Sequence, residues 1–332
     1  MKRFSRGAVL ALAVSFVFFL KWAGAETIRV LILDDQTRQV PEGTEMVKLL
    51  DRTEGKLLLH DRPYTGKIEV WHGGQGLYLI NEIPLEEYIK SVVKSETGRD
   101  WDLEALKAQA VVARTYAVFM KSKNGHFKYD ITSTTLHQVY NGDVQDERIS
   151  EAVKGTEDEM LTFEGNPIEA FYHSTCGGHT EDPGEVFGKS LPYLKAQPVK
   201  CELSPLAVWA RRIPLAELGE ALQLEGITNA AVKSYTASGR VREVEITASN
   251  GLNLIKATEL RKILGWKRLP STAFTLQLEE DALVIDGTGY GHGVGLCQWS
   301  ALEMAREGKN YAEILSFFYP GTQLAKYGHP GL

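Results

Sequence analysis

Residues 103–123 read LEALKAQAVVARTYAVFMKSK, an alanine-rich run without glycine or proline. Good helix formers fill it, and Asp100 or Asp102 stands just upstream, where a side-chain oxygen caps a helix start. The text predicts a helix from Leu103 to about Lys123. Leu103, Leu106, Ala110, Ala113 and Ala117 can face a core, while Lys107 and Arg114, seven residues apart, share a different stripe. Before it, Asn81-Glu-Ile-Pro84 introduces Leu85, Tyr88, Ile89, Val92 and Val93 at spacings of three and four. That pattern, with Pro84 near the first turn, predicts a shorter amphipathic helix. Glu96, in Lys94-Ser-Glu-Thr-Gly-Arg99, then falls on the link between the two helices, where a scaffold can hold a reactive carboxyl over a cleft.

Strand text flanks this helical centre. Ile28, Val30 and Ile32 alternate with Arg29 and Leu31, and Lys56-Leu-Leu-Leu-His60 and Lys67-Ile-Glu-Val-Trp71 continue the style. Downstream, turn signals at Asn141-Gly142, Glu164-Gly165-Asn166 and Cys176-Gly177-Gly178 mark loops and short strands. Val241, Val244 and Ile246 carry a strand's apolar face, and Ala257 to Leu264, closed by Gly265, reads as a short helix. Strands at Phe274–Leu278 and Leu283–Ile285 lead into the glycine run 287–295, and Asn310-x-x-Glu313 has the form of a capping box. The expected class is α+β. Its segments are a signal peptide at 1–25, a β region at 26–80, a catalytic core at 81–202 and a mixed C-terminal region at 203–332.

The chain has 332 residues, 43% hydrophobic and 24% charged, with 37 Lys and Arg against 43 Asp and Glu. This is the composition of a folded globular protein. Lys2, Arg3 and Arg6, the apolar run Ala8 to Leu20 broken by Ser15, and Ala23-Gly24-Ala25 have the form of an export signal. A membrane helix needs about 20 residues, so an uncleaved anchor is the lesser reading. Cleavage after Ala25 leaves 33 basic against 43 acidic residues, a balance of −10. With no Lys/Arg run, that balance argues against a nucleic-acid partner. In the glycine run no pair has the third glycine of G-x-G-x-x-G at its offset, which disfavours a dinucleotide. The expected location is periplasmic, cell-envelope or extracellular.

Several stretches together resemble the SpoIID/LytB family, the sporulation stage II protein D and amidase-enhancer group. They are Ser95-Glu96 with Glu104-Ala-Leu-Lys107-Ala-Gln109-Ala-Val-Val-Ala-Arg114-Thr-Tyr116-Ala117, then Gln138-Val-Tyr140-x-Gly142, Phe171-Tyr-His173-Ser174-x-Cys176-Gly-Gly178, and Gly289-Tyr-Gly-His292-Gly-Val-Gly295-Leu-Cys-Gln298-Trp-Ser-Ala301. The resemblance implies a peptidoglycan lytic transglycosylase acting on glycan strands stripped of stem peptides, with Glu96 as its catalytic residue. One carboxyl suffices for such chemistry. It protonates the glycosidic oxygen and then takes the proton of the muramoyl C6 hydroxyl, which attacks C1 and leaves a 1,6-anhydro end.

The same resemblance carries Lys107, Gln109, Arg114 and Tyr116 into the cleft, with Gln109 and Tyr116 equally able to pack beneath it. His173 and Ser174 join them as substrate contacts. His292 and Gln298 would offer polar groups where closely spaced glycines let the backbone approach a sugar polymer, against the plainer reading of a tight turn with a core histidine. His173, Cys176, His179 and Cys201 leave two readings open, a structural zinc site and a Cys176–Cys201 disulfide. Cys297 reads as a small buried residue. No cofactor is expected for catalysis, and a zinc hydrolase is disfavoured because four such ligands would close the metal. The alternative function is a non-catalytic glycan-binding module that enhances a partner cell-wall amidase.

Overall fold

In a computed structural model, residues 26–32, 46–73, 76–98 and 100–327 are described. The export signal read at 1–25 lies outside them. The N-terminal half is built on a five-stranded sheet of β1 (Thr27–Ile32), β2 (Met46–Leu59), β3 (Arg62–Gly73), β4 (Gly76–Pro84) and β5 (Ile131–Thr132), in the order β2-β3-β4-β1-β5. All its pairs are antiparallel except β1 with β5. The β2–β3 turn is made by His60 and Asp61, both at positive φ, the geometry that suits a two-residue hairpin.

Two helices follow the sheet. α1 (Leu85–Glu96) starts after Pro84 and buries Leu85, Tyr88, Ile89, Val92 and Val93, the predicted face. α2 (Leu103–Asn124) begins after Asp102, which caps it by backbone conformation without a side-chain bond. The sequence predicts one core stripe for α2, but the helix is buried nearly all round, with Gln109, Arg114 and Thr115 inside as well. Its alanines let α1, α3 (Glu147–Lys154), β6 (Glu159–Phe163) and the C-terminal helices pack close on every side. It is the axis of the first core.

After β6 come β7 (Asn166–Pro167), β8 (Tyr172–His173) and the short α4 (Pro183–Phe187). The chain then builds a second core from β9 (Val208–Pro214), α5 (Leu215–Leu222), β10 (Asn229–Tyr235), β11 (Val241–Ala248), β12 (Gly251–Lys256), α6 (Ala257–Leu264), β13 (Phe274–Leu278) and β14 (Ala282–Thr288). Two three-stranded sheets, β10-β11-β12 and β13-β14-β9, enclose Trp209, Leu218, Val244, Leu260 and Ile285. α6 has the predicted span and closes at Gly265.

β15 (Leu296–Cys297), α7 (Gln298–Arg306), α8 (Tyr311–Phe318) and β16 (Gln323–Lys326) return to the first core. α8 carries the predicted capping box, with Asn310 and Glu313 bonding each other's backbone N–H. The stretch 203–332, read above as one region, is therefore shared. Residues 209–285 form their own core, whereas Val294, Leu296, Ile314, Leu315 and Phe318 belong to the first. The class is α+β.

Candidate active site

β15 runs parallel to β8, with Leu296 opposite Tyr172 and Cys297 opposite His173. The glycine run makes this pairing fit. Gly291 and Gly295 sit at φ +115° and +72°, and a Cβ on them would lie 2.8 Å from His173 Cβ and 2.0 Å from the Phe171 carbonyl oxygen. The run is thus packed on the His173 strand, and Gly291 and His292 of the same run also line the cleft. Gly295→Ala is expected to cost at least about 1–3 kcal/mol in urea unfolding, from positive φ alone, with the carbonyl overlap added.

The strand pair brings Tyr172 and Gln298 onto one carboxyl. Glu96 is the last residue of α1, not a residue of the following link, and stays partly exposed. The Tyr172 hydroxyl donates to its Oε1 at 3.4 Å and the Val139 N–H at 3.5 Å, while Gln298 Nε2 donates to Oε2 at 3.4 Å. Gln298 also reaches Gln109 Oε1 at 3.4 Å. Burial raises the Glu96 pKa above the ordinary 4.5, and the three neutral donors only partly oppose it.

Glu96 opens into a cleft of about 550 Å³ between the two cores. Tyr116, His137, Phe171, Phe187 and His292 line it from one side, and Glu259, Lys262 and Trp266 of the second core from the other. Phe171 and Phe187 stack with centroids 4.3 Å apart, and Trp266 is 39% exposed, so aromatic faces are offered to a ligand. The Arg261 guanidinium lies over the Trp266 ring at 4.3 Å.

The two motif histidines share the Val294 backbone. His173 places Nδ1 3.1 Å from the Val294 carbonyl, and His292 Nδ1 accepts from the Val294 N–H at 3.0 Å. Their rings are 5.4 Å apart. Burial, with His292 and Arg240 nearby, holds His173 well below the ordinary imidazole range. Burial and Arg261 hold His292 down at about 3.

The structure therefore brings together Glu96, Tyr116, His173, Ser174, His292 and Gln298 around one cleft, with Gln109 beneath it. It does not place Lys107 and Arg114 there. Lys107 pairs with Glu104 at 2.7 Å. Arg114 is fully buried in a fork-to-fork pair with Glu86, at 2.7 and 2.6 Å, and donates to the Glu159 carbonyl. The basic stripe is thus spent on pairing within the chain, at a partly exposed position for Lys107 and a fully buried one for Arg114. The four-ligand set is also not assembled. His173 Nδ1 faces Val294 O and His179 Nδ1 lies 2.7 Å from Thr180 O, and among the described residues Cys176 and Cys201 converge instead with Cys297. Tyr172 and Val139 were missed as carboxyl partners although both lie inside quoted motifs. Phe187, Lys262 and Trp266 had no motif to mark them.

The chain matches the family model "Stage II sporulation protein" over residues 73–163, which spans α1 with Glu96 at its end, and α2. It is 32% identical over 266 residues to the Stage II sporulation protein D of Bacillus subtilis, covering 74% of this chain and 76% of that protein. The chain belongs to the SpoIID family. An uncharacterized protein of Brachyspira hyodysenteriae is 32% identical over 83% of this chain and 76% of its own length. The Amidase enhancer of Bacillus subtilis is 30% identical over 72% of this chain, but the match spans only 40% of that longer protein. Residues 209–295 match a domain of unknown function, DUF8618, and cover the second core and the glycine run. In this SpoIID chain Glu96, Tyr116 and His137 fall in the first matched range and Glu259, Lys262, Trp266 and His292 in the second, while Phe171 to Ser174, Phe187 and Gln298 lie outside both.

Proposed function

We propose that this protein is an exported, cell-wall-acting lytic transglycosylase with Glu96 as its single general acid and base. The observation that carries the reading is the Glu96 carboxyl itself, desolvated, held only by neutral donors and open to a cleft faced with aromatic rings. The reading requires a protonated Glu96 in the resting state, and burial shifts its pKa upward, in that direction. Glu96 gives that proton to the glycosidic oxygen as the C1–O4 bond breaks, and the resulting carboxylate takes the C6 hydroxyl proton while O6 bonds to C1. Gln298 and Tyr172 hold the carboxyl in place through both protonation states. Phe171, Phe187 and Trp266 supply stacking faces for sugar rings, and Lys262 supplies a cation for the lactyl carboxylate. The relatives' names, Stage II sporulation protein D and Amidase enhancer, support a cell-wall role.

Digestion of purified glycan strands, with and without stem peptides, tests this. New 1,6-anhydro ends, most abundant on stripped strands, are the expected result. Binding without new ends, together with stimulation of an added amidase, would replace the enzyme by an enhancer module.

The pH dependence has a definite sign. Folded Glu96 holds its proton more tightly than the unfolded chain does, so its contribution to stability falls as pH rises from about 4.5 through the folded pKa. Glu96→Gln should remove that slope and melt above the wild type at neutral pH. Wild-type cleavage should decline over the same rising limb, because the acid form is consumed. Parallel melts and rate profiles from pH 4 to 9 check both.

A further inference from the structure

The three cysteines of the chain sit together behind the active site, and the proposed glycan chemistry does not use them. Cys176 follows β8, Cys201 lies in the segment entering the second core, and Cys297 ends β15. Their Sγ atoms all lie within 4.8 Å of one another, with Cys176 and Cys201 at 3.2 Å. All three are buried. A tetrahedral zinc with Zn–S bonds of about 2.3 Å separates its sulfurs by about 3.8 Å, inside the range these atoms span.

Two backbone N–H groups are aimed at the sulfurs, while Cys176 and Cys297 Sγ also lie 3.7 Å from the Val199 carbonyl and 3.6 Å from the Ser174 carbonyl, respectively. The Cys176 N–H points to Cys297 Sγ and the Gly177 N–H to Cys201 Sγ, each at 3.2 Å. Gly177 adopts φ +74°, and a Cβ there would lie 2.6 Å from Thr288 Oγ1, so the backbone comes close only as glycine. Beside the cluster lies Arg240, 2% exposed, whose Nη2 donates to the Cys176 carbonyl at 2.6 Å. Among the described residues its Nε and Nη1 have no hydrogen-bond partner. The nearest buried carboxylate, Glu181, is engaged by the Thr236 and Ser238 hydroxyls and the Asp182 N–H. A buried guanidinium without an anion in contact is costly. Three thiolates on a divalent cation carry one net negative charge and would answer it. Cys201 also borders an open groove of about 740 Å³, with Ser300 and Glu303 on its wall, which gives a metal an entry path and room for a fourth ligand.

We propose that Cys176, Cys201 and Cys297 form a three-thiolate zinc site whose fourth position faces this groove. The metal would pin β8 to β15 from behind. Since Cys297 immediately precedes Gln298, it would also fix the donor that reaches Glu96. A disulfide would join only two of these sulfurs, would need an external oxidant to accept the electrons, and would leave the third thiol buried beside Arg240.

The test is metal analysis and thiol titration on the full chain purified under reducing conditions, free of added chelator. The expected result is about one zinc per chain after desalting, with thiols that react only when a mercurial displaces the metal. Cobalt substituted for zinc should show sulfur-to-metal charge-transfer absorption. His179→Ala should keep the metal and Cys297→Ser should lose it, and chelation should lower the melting temperature, with zinc restoring it. Should Cys297→Ser not fold, wild-type stoichiometry and His179→Ala still decide. Folded, metal-free protein with three reactive thiols, or with a Cys176–Cys201 disulfide in its peptide map, would overturn the site. Neither result bears on whether Glu96 cleaves glycan.

Discussion

Glu96→Gln is expected to lower cleavage of stripped glycan strands by about 100- to 10,000-fold, the range a positioned general acid supplies. Binding of the same strands should survive, because the amide keeps the size of the carboxyl and its one oxygen can still accept from Tyr172 or Gln298. The second carboxyl on the cleft sharpens the experiment. Glu259 is exposed on α6 and lines the opposite wall. A two-carboxylate glycosidase would need a partner of that kind. The one-carboxyl reading expects Glu259→Gln to retain most activity, so the pair of variants separates the mechanisms in one assay.

Arg114→Ala is expected to destabilise the protein by about 1–3 kcal/mol, because it empties a fully buried position and leaves the Glu159 carbonyl without its charged donor, while Glu86, 24% exposed, is partly rescued by water. Specific activity per folded molecule should be unchanged. That second readout decides between a structural cation and a substrate contact, since a cleft residue would lose activity at constant fold. Urea unfolding and active-site titration measure the two quantities separately. Lys107→Ala should be mild in both, because its partner Glu104 is solvent-accessible and such pairs contribute little.

These two variants also show where the sequence could and could not be read. The face of α1 was legible because Leu85, Tyr88, Ile89, Val92 and Val93 recur at helical spacing, and the α8 capping box because Asn310 and Glu313 satisfy each other locally. α2 was legible as a helix but not as a buried one. Its alanines hide how closely neighbours pack, and a charged residue such as Arg114 looks solvated until Glu86, twenty-eight residues earlier, is folded against it. Glu96 was found by its motif, whereas its partners come from three separate segments, two of which, bearing Tyr172 and Gln298, are joined by the β8–β15 pairing. The wall bearing Lys262 and Trp266 arrives from the second core, and nothing in local text marks it as part of the cleft. Cys297 was read as a lone buried residue for the same reason. Its relation to Cys176 and Cys201 exists only after the chain returns from residues 209–285 to the first core.

The central claim is that Glu96 directs an internal attack by the muramoyl C6 hydroxyl rather than attack by water. Digestion of stripped glycan in ¹⁸O-labelled water, followed by mass spectrometry of the new muramoyl ends, tests it most directly. The account predicts ends that are lighter than the hydrolysis product by one water and carry no label, and that are absent with Glu96→Gln. Labelled reducing ends, or unlabelled anhydro ends formed equally well by the Gln variant, would contradict it.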